Sequence, residues 1–415
     1  MNQEYIMSNV WEDALRNLSK AAAIIELEPE ILARLSKPMR FTEFTIPLRM
    51  DDGRKLLFTA FRSLHQDATG PTKDGTRIRA SLTPEEVKAL SLFMSVKHAV
   101  ADIPAGGGKG GIIADPALLS EFEYERLVRG FMRRLLPKGA MADVPGADIG
   151  TDARAMGYML DEYEQISGFH SPAAINDKPF ELGGSRGGHE GTGWGVSACA
   201  HMAAQELGLT GGKVAVQGFG QVGSITALSL FNLGYKIVAI SDISGILCDP
   251  NGLNVAELLE YANKNGSISG FPLKSAAACP DVLTMDVDIL IPAALQNVVT
   301  AQNAKDVKAK LVVEAANAPL SPEADELLNG AGKTIVPDVV ANCGGAVVCD
   351  FERTQGLSND YWSLEEVKTR LSKRMEKVFH ETRKTSQELK IPMRQAAWAL
   401  ALKKIRAALL WRGWC

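Results

Sequence analysis

The sequence predicts an α/β protein of two domains, and three observations carry that prediction. An alternating stretch at 43–64, followed by two capped helices, marks a first domain. From residue 213 short apolar strands alternate with helices, the pattern of a doubly wound parallel sheet. Between them lies GGSRGGHEGTGWG at 183–195, seven glycines in thirteen residues, expected to be a hinge or a ligand-hugging loop rather than element interior. At 415 residues the chain has room for two or three domains. The expected division is 1–188 and 189–385, with helices over about 386–415 packing back on the first domain.

Each element has its own signature. Phe44, Ile46, Leu48 and Met50 share one strand face, Asp52-Gly53 supplies a turn, and KLLFTAF returns as the second strand of a hairpin. A helix follows with Thr83 as N-cap, Pro84 in its first turn and Glu86 completing a capping box. A second box, Ser120 with Glu123, opens the helix EFEYERLVRGFMRRLL. A Pro/Gly-rich loop is expected over 137–150, then an amphipathic helix to about 166. KVAVQ, KIVAIS, VDILI, LVVEA and KTIVP are the later strands, and the last thirty residues are helical.

Bulk properties exclude several classes. Apolar residues at 46% and charged residues at 23% are ordinary for a globular chain, and a net charge of −4 offers no field for nucleic acid or anionic membrane. MNQEYIMSNVWEDAL lacks the cationic start and apolar core of a leader, and no uncharged apolar run nears the roughly 18 residues that span a bilayer. Cysteines 199, 248, 279, 343, 349 and 415 are scattered without a C-x-x-C pair, so reduced thiols and a cytoplasmic location are expected. The six histidines show no metal-ligand spacing, and no metal is expected. Trp398, Trp411 and Trp414 read as packing residues.

AGGGKGG at 105–111 is not a phosphate loop. A P-loop needs glycine five residues before the Gly-Lys pair and a hydroxyl after it; this chain has Ile103 and Gly110 there. GFGQVG is the better phosphate site. Gly218, Gly220 and Gly223 follow a strand and open a helix, and Asp242 stands nineteen residues beyond at the end of the next strand. Tight turn, close pyrophosphate approach, helix packing and a carboxylate for ribose hydroxyls are thereby all supplied, which makes this a Rossmann-type domain. Asp242 would repel a 2′-phosphate and no Arg or Lys lies between Lys236 and Lys264, so NAD is favoured, with NADP not excluded.

On the Thr83-capped helix the apolar stripe runs Val87, Leu90, Met94, Lys97, Ala101, so a lysine takes a core-facing place. Snorkelling explains one such lysine. Lys97, Lys109 and Lys73 together suggest an anionic substrate, and Asp143, in ADVPGAD, is a candidate proton carrier or else a turn residue.

Lys73, Lys97, GGGKGG, DVPGADIGT, KPFELGGS, TGWGV, QGFGQVG, SDISG, IPAAL, EAAN and PDVVANCGGAVV occur in the order found in the glutamate/leucine/phenylalanine/valine dehydrogenases, over residues from about 40 to 355. The chain resembles the glutamate dehydrogenases of that family most. The resemblance implies an N-terminal α/β substrate domain with a largely parallel or mixed sheet, separated by a cleft from the NAD(P) domain. It implies NAD(P)-linked oxidative deamination of an amino acid to a 2-oxo acid and ammonia, by hinge closure over substrate and in a homo-hexamer.

By motif, Lys109 would be the catalytic lysine and Asp143 the proton-transfer partner for the substrate's amino nitrogen. Lys97 would hold the α-carboxylate, Lys73 a side-chain carboxylate, and Cys349 and Asn342 would border the substrate. Thr192, Gly218, Phe219, Gly220, Gln221, Val222, Gly223, Asp242, Asn317 and Asn342 would line the cofactor. The glycines around Lys109 would let substrate, nicotinamide and amine approach closely. A desolvated lysine beside a second cation is expected to have a lowered pKa.

The chain departs from the family pattern at Asp74, where glycine is usual, and at Cys349, where a serine binds the distal carboxylate. It departs also at Gly188 and Trp194, where arginines are usual, and in DVPGAD. These leave open a different L-amino acid substrate or a catalytically silent NAD- or amino-acid-binding regulatory subunit.

Overall fold

The computed structural model describes residues 10–136, 138–273, 279 and 281–413. The first nine residues, Pro137, Trp414 and Cys415 lie outside them. The chain forms two compact units, residues 1–188 with 348–367 and 398–415, and residues 189–347 with 368–397.

The first unit begins with α1 (Val10–Ile24) and α2 (Pro29–Leu35). Its sheet holds β1 (Arg40–Arg49), β2 (Lys55–Gln66), β3 (Thr72–Ile78), β4 (Gly106–Ile112) and β5 (Asp143–Ala147), in the order β1-β2-β4-β3-β5. β2 is antiparallel to β1 and β4, whereas β3 is parallel to β4 and β5, so the sheet is mixed. The hairpin closes at Arg49↔Lys55. Its inward residues Ile46, Leu48 and Met50 join Leu127, Phe131 and Met156 in one core beneath the sheet.

Three helices cover this sheet, α3 (Pro84–Val100), α4 (Glu121–Arg134) and α5 (Ala153–Ser167). Ser120 and Glu123 form the full reciprocal box. At Thr83 only half of it forms: the hydroxyl accepts from the Glu86 N–H, while the Glu86 carboxylate turns to Arg77 and Arg79. α3 is also less amphipathic than its stripe suggests. Ser91, Ser95 and His98 are as buried as Val87, because the two serines are small enough to lie against Gly107 of β4 and His98 Nδ1 sits 2.9 Å from the Gly106 carbonyl oxygen.

β5 corrects the expected 137–150 loop. Pro145 and Gly146 disguise it, yet both are tolerated in a strand at a sheet edge, which β5 is.

The second unit contains α6 (Gly191–Leu207), β6 (Lys213–Gln217), α7 (Gln221–Asn232), β7 (Lys236–Asp242), β8 (Gly245–Cys248), α8 (Val255–Asn265), β9 (Ile289–Pro292), β10 (Leu311–Val313), α9 (Pro322–Gly330), β11 (Thr334–Val336) and α10 (Asp338–Ala341). The order β11-β10-β9-β6-β7-β8 is parallel except for β8. It is the expected doubly wound sheet with a short antiparallel edge.

Gly191, Gly193 and Gly195 lie inside α6, which corrects the view of 183–195 as wholly hinge or loop. Close packing is the reason. A Cβ on Gly193 would stand 2.6 Å from the Ile225 side chain, and one on Gly195 would stand 3.1 Å from the Gly344 Cα.

The last helices, α11 (Gly344–Ser358), α12 (Leu364–Leu389) and α13 (Met393–Trp411), divide between units in a way the sequence did not suggest. Residues 348–367 join the first unit, where Glu352 pairs with buried Lys178 and Gly356 abuts Ala173. Residues 386–397 join the second, where Arg394 meets Glu314, Asp325 and Asp338. From Trp398, which stacks edge-on to Phe93, the chain packs with the first unit.

Cys248 and Cys279 form a disulfide, with Cα atoms 5.7 Å apart, which corrects the expectation of reduced thiols throughout. They lie 31 residues apart in sequence, but Cys248 belongs to an apolar cluster of the second unit and Cys279 packs against it. Among the described residues no helix is long and apolar enough to cross a membrane, and no group of three or more His, Cys, Asp or Glu is placed to hold a metal.

Candidate functional site

GGGKGG forms β4, a fully buried strand in the middle of the first sheet. Its glycines admit the protein's own groups. A Cβ on Gly107 would fall 2.1 Å from the Ser91 carbonyl of α3, and one on Gly108 would crowd the Arg62 guanidinium and the Asp143 carboxylate. Lys109 is the one side chain beyond a methylene that the motif projects. Its Nζ lies 2.8 Å from Asp148 Oδ2 and 2.9 Å from Asp74 Oδ2.

The electrostatics reverse one expectation. Burial alone would lower the Lys109 pKa, but the Asp148 and Asp74 carboxylates outweigh it and hold the amine above its ordinary value. Carboxylates, not a second cation, are the nearest charges. Burial would likewise raise Asp74, yet Lys109 and Lys73 keep its carboxyl well below the usual range.

Asp143 opens β5 and is completely buried. Arg62 of β2 grips it with two hydrogen bonds, Nε to Oδ2 at 2.8 Å and Nη2 to Oδ1 at 2.7 Å, and Thr72 Oγ1 donates to Oδ1 at 2.8 Å. Such a bidentate clamp fixes the orientation of a carboxylate. Among the described residues its ion-pair partner is Arg62 rather than Lys109.

Lys73, in β3, is 1% exposed and has no ion-pair or hydrogen-bond partner for its ammonium among the described residues. Lys97 is half-buried on α3. Cys349 donates its S–H to Asp177 Oδ1 at 2.9 Å; burial and the Asp177 charge push its thiol pKa well up, while Lys73 pulls it down. Lys73 and Asp177 thus both act on Cys349 from nearby. His98 is buried neutral, lowered to about 3 by burial and then by Lys73.

Arg62, Asp148 and Asp177 were not singled out in the sequence. An arginine within an apolar strand was the available signal for Arg62. Asp148 sat inside the quoted DVPGADIGT, and Asp177 follows Asn176 where its positive φ of 61° favours glycine.

The second unit carries the nucleotide motif. Gly218 turns the chain after β6 with φ +95°, Phe219 is nearly buried, and Gly220 caps α7 without a side-chain acceptor. The N–H groups of Gln221, Val222 and Gly223 therefore open the helix uncovered by any capping side chain. A Cβ on Gly220 meets nothing within 4 Å, whereas one on Gly223 would stand 2.0 Å from the Gly218 carbonyl oxygen. That combination suits a pyrophosphate at a helix N-terminus. Gln221 Nε2 donates to the His189 carbonyl at 2.7 Å and fixes the entry to α6, whose first turn holds Thr192.

Asp242 ends β7. Although burial opposes it, hydrogen bonds from Ser244 and the Ile268 N–H keep its pKa lowered, so it is an anion suited to ribose hydroxyls. Asn342 Nδ2 donates to Asn317 Oδ1 at 2.9 Å, which joins the EAAN and VVAN segments. Unit by unit, Lys73, Lys97, Lys109, Asp143 and Cys349 belong to the first, and the cofactor residues with Asn342 to the second.

Residues 183–413 match the Glutamate/Leucine/Phenylalanine/Valine dehydrogenase family, and residues 38–165 match the Glu/Leu/Phe/Val dehydrogenase, dimerisation domain. The chain belongs to this family. A relative, the NAD-specific glutamate dehydrogenase of Clostridioides difficile, is 42% identical over 98% of both chains. Among solved structures of the family, glutamate dehydrogenase from Peptoniphilus asaccharolyticus is 36% identical with TM-score 0.89, covering 98% of this chain and 100% of that one. The hetero-hexameric glutamate dehydrogenase from Thermus thermophilus, in its Leu-bound form, is 34% identical with TM-score 0.90, covering 97% of each.

Proposed function

We propose that this chain is an NAD-dependent glutamate dehydrogenase, which reversibly converts L-glutamate to 2-oxoglutarate and ammonia. The observation that carries the reading is Lys73. A lysine so deeply buried, with no ion pair of its own among the described residues, is costly unless an anion comes to it. It lies on the strand beside that of Lys109, and the substrate's distal carboxylate is the anion that fits.

NAD, when bound, supplies the acceptor for hydride from the substrate α-carbon. The chain's own residues do the rest. Lys97 binds the α-carboxylate and Lys73 the distal one. Lys109, when neutral, takes a proton from the water attacking the iminium carbon; when protonated, it donates to the developing oxyanion. Asp143, oriented by Arg62 and Thr72, exchanges a proton with the amino nitrogen. Asp242 receives the ribose, α7 the pyrophosphate, and Thr192, Asn317 and Asn342 border the nicotinamide. The family resemblance supports a homo-hexamer, and soluble small-molecule substrates support the cytoplasm.

The test is NADH consumption by the purified chain with ammonium and a panel of 2-oxo acids. Turnover highest with 2-oxoglutarate is expected. Asp74 and the Cys349–Asp177 contact favour a second reading, a family member for a less acidic amino acid. Highest turnover with a monocarboxylate would select it, and NADH binding without any turnover would instead indicate a silent regulatory subunit.

A further inference from the structure

Asp74 stands where the backbone favours glycine. Its φ is +139°, a region that L side chains rarely adopt, and such strain persists only where the surroundings hold it in place. Here the holding groups belong to the candidate site. The Asp74 carbonyl accepts from Arg62 Nη1 at 2.9 Å, from the same guanidinium that clamps Asp143. Its carboxylate is 2.9 Å from Lys109 Nζ, and this is its one ion pair among the described residues.

Asp148 and Asp74 are the charges that act directly on Lys109, and further charged groups lie on the neighbouring elements. β3 supplies Asp74 and Lys73, and also Arg77, which shares Asp148 with Lys109. β5 and β2 supply the Asp143–Arg62 pair across Gly108, while on α3 the charges of Lys97, Lys73 and Asp74 act on His98. Arg77 already neutralises much of Asp148. Asp74 has Lys109 as its ion pair, although Lys73 and His98 also act on its charge, so it and Asp148 are the two counter-charges of the amine.

We infer that Asp74 is a positioning and selecting residue: its carboxylate keeps the Lys109 amine protonated and ion-paired in the substrate-free site, and it adds negative charge where an anionic substrate must bind. Two consequences follow from that charge. The amine becomes available as a base only at higher pH than it would beside glycine, and a dicarboxylate binds more weakly than Lys73 alone would allow. The second consequence rests on the glutamate reading above; the first does not.

The test uses the full-length protein with Asp74→Asn, which removes the charge and keeps the shape and φ, and Asp74→Gly, which removes both. Neutral amine at Lys109 is read directly by the pH dependence of its reductive methylation with formaldehyde and a borane, followed by peptide mass spectrometry. The half-point is expected at least one pH unit lower in both variants, a tenfold change in neutral amine. In parallel the acid limb of kcat/KM for glutamate oxidation should move the same way, and KM for 2-oxoglutarate should fall at least fivefold.

A half-point unmoved in both variants, or moved in Asp74→Gly alone, overturns the inference, because charge is then not the agent. A uniform loss of activity with no change in either profile also overturns it. A shifted half-point in proteins that never turn over glutamate leaves Asp74 in this role and removes the glutamate reading instead. Should Asp74→Asn fail to fold, Asp74→Gly, relieved of the strained φ, carries the same readouts.

Discussion

Two loops of this molecule meet the same backbone problem differently. In the second unit the turn after β6 needs a positive φ, and glycine supplies it: Gly218 at +95°, with Gly223 clearing the way for its carbonyl. In the first unit, aspartates take the positive-φ positions beside the buried lysines. Asp74 stands at +139° next to Lys73, and Asp177 at +61° next to Lys178. The nucleotide loop spends its unusual conformation on empty space for a phosphate. The lysine cluster spends it on carboxylates of its own. One unit therefore presents an open glycine turn, and the other a lysine held by strained, charged neighbours.

The comparison breaks first at Lys109. Replacement by alanine should lower kcat by about 10²–10⁴-fold, the range for removing a general acid–base group. Steady-state NADH formation checks it, with far-UV circular dichroism to confirm folding. A variant within threefold of the parent would mean that the cluster is structural.

Next comes Gly223→Ala. Its new Cβ would overlap the Gly218 carbonyl, so the turn must open and KM for NAD should rise tenfold or more. Isothermal titration with NADH gives the same quantity without turnover, and unchanged affinity would place the pyrophosphate elsewhere.

Asp242→Ala should raise KM for NAD roughly tenfold, the equivalent of one charge-assisted hydrogen bond of about 1.5 kcal/mol. It should also narrow the preference for NAD over NADP, which side-by-side kinetics would measure.

The smallest effects test the aspartate loop. Asp74→Asn and Asp74→Gly both lose the ion pair, but only the second relieves φ, so the glycine variant should be more stable by about 1 kcal/mol. The pH dependence has a definite sign. Asp74 has a folded pKa below its unfolded one, so its ionic contribution is complete above the unfolded value near 4 and is lost as pH falls below it. The stability gap between the parent and Asp74→Asn should shrink on acidification through that range, as chemical denaturation would show.

Legibility in the sequence followed the same division. Five of the six strands of the second sheet could be read, all but β8, because apolar runs and the local spacing of GFGQVG and Asp242 are features a sequence states openly. β5 was hidden by Pro145 and Gly146, residues that mark loops except at a sheet edge. Gly193 and Gly195 looked like flexibility and proved to be packing, since helix contact and hinge motion ask for the same missing side chain. Lys109 was visible as a lone charge among glycines, but its partners were not. Asp74 and Asp148 come to it from β3 and the end of β5, Arg62 of β2 holds the Asp74 carbonyl in turn, and no local pattern encodes that convergence. The Lys109 pKa was accordingly expected on the wrong side of its ordinary value.

The central claim is that Lys73 recognises an acidic side chain while Lys109 works beside it. The most direct measurement is kcat/KM for L-glutamate against L-norvaline, of similar length but without the distal carboxylate, in the parent and in Lys73→Met. The parent should favour glutamate by 100-fold or more, about 2.7 kcal/mol at 25 °C, and Lys73→Met should lose most of that preference while still oxidising norvaline. A parent that prefers norvaline, or a variant that keeps its preference for glutamate, would contradict the account.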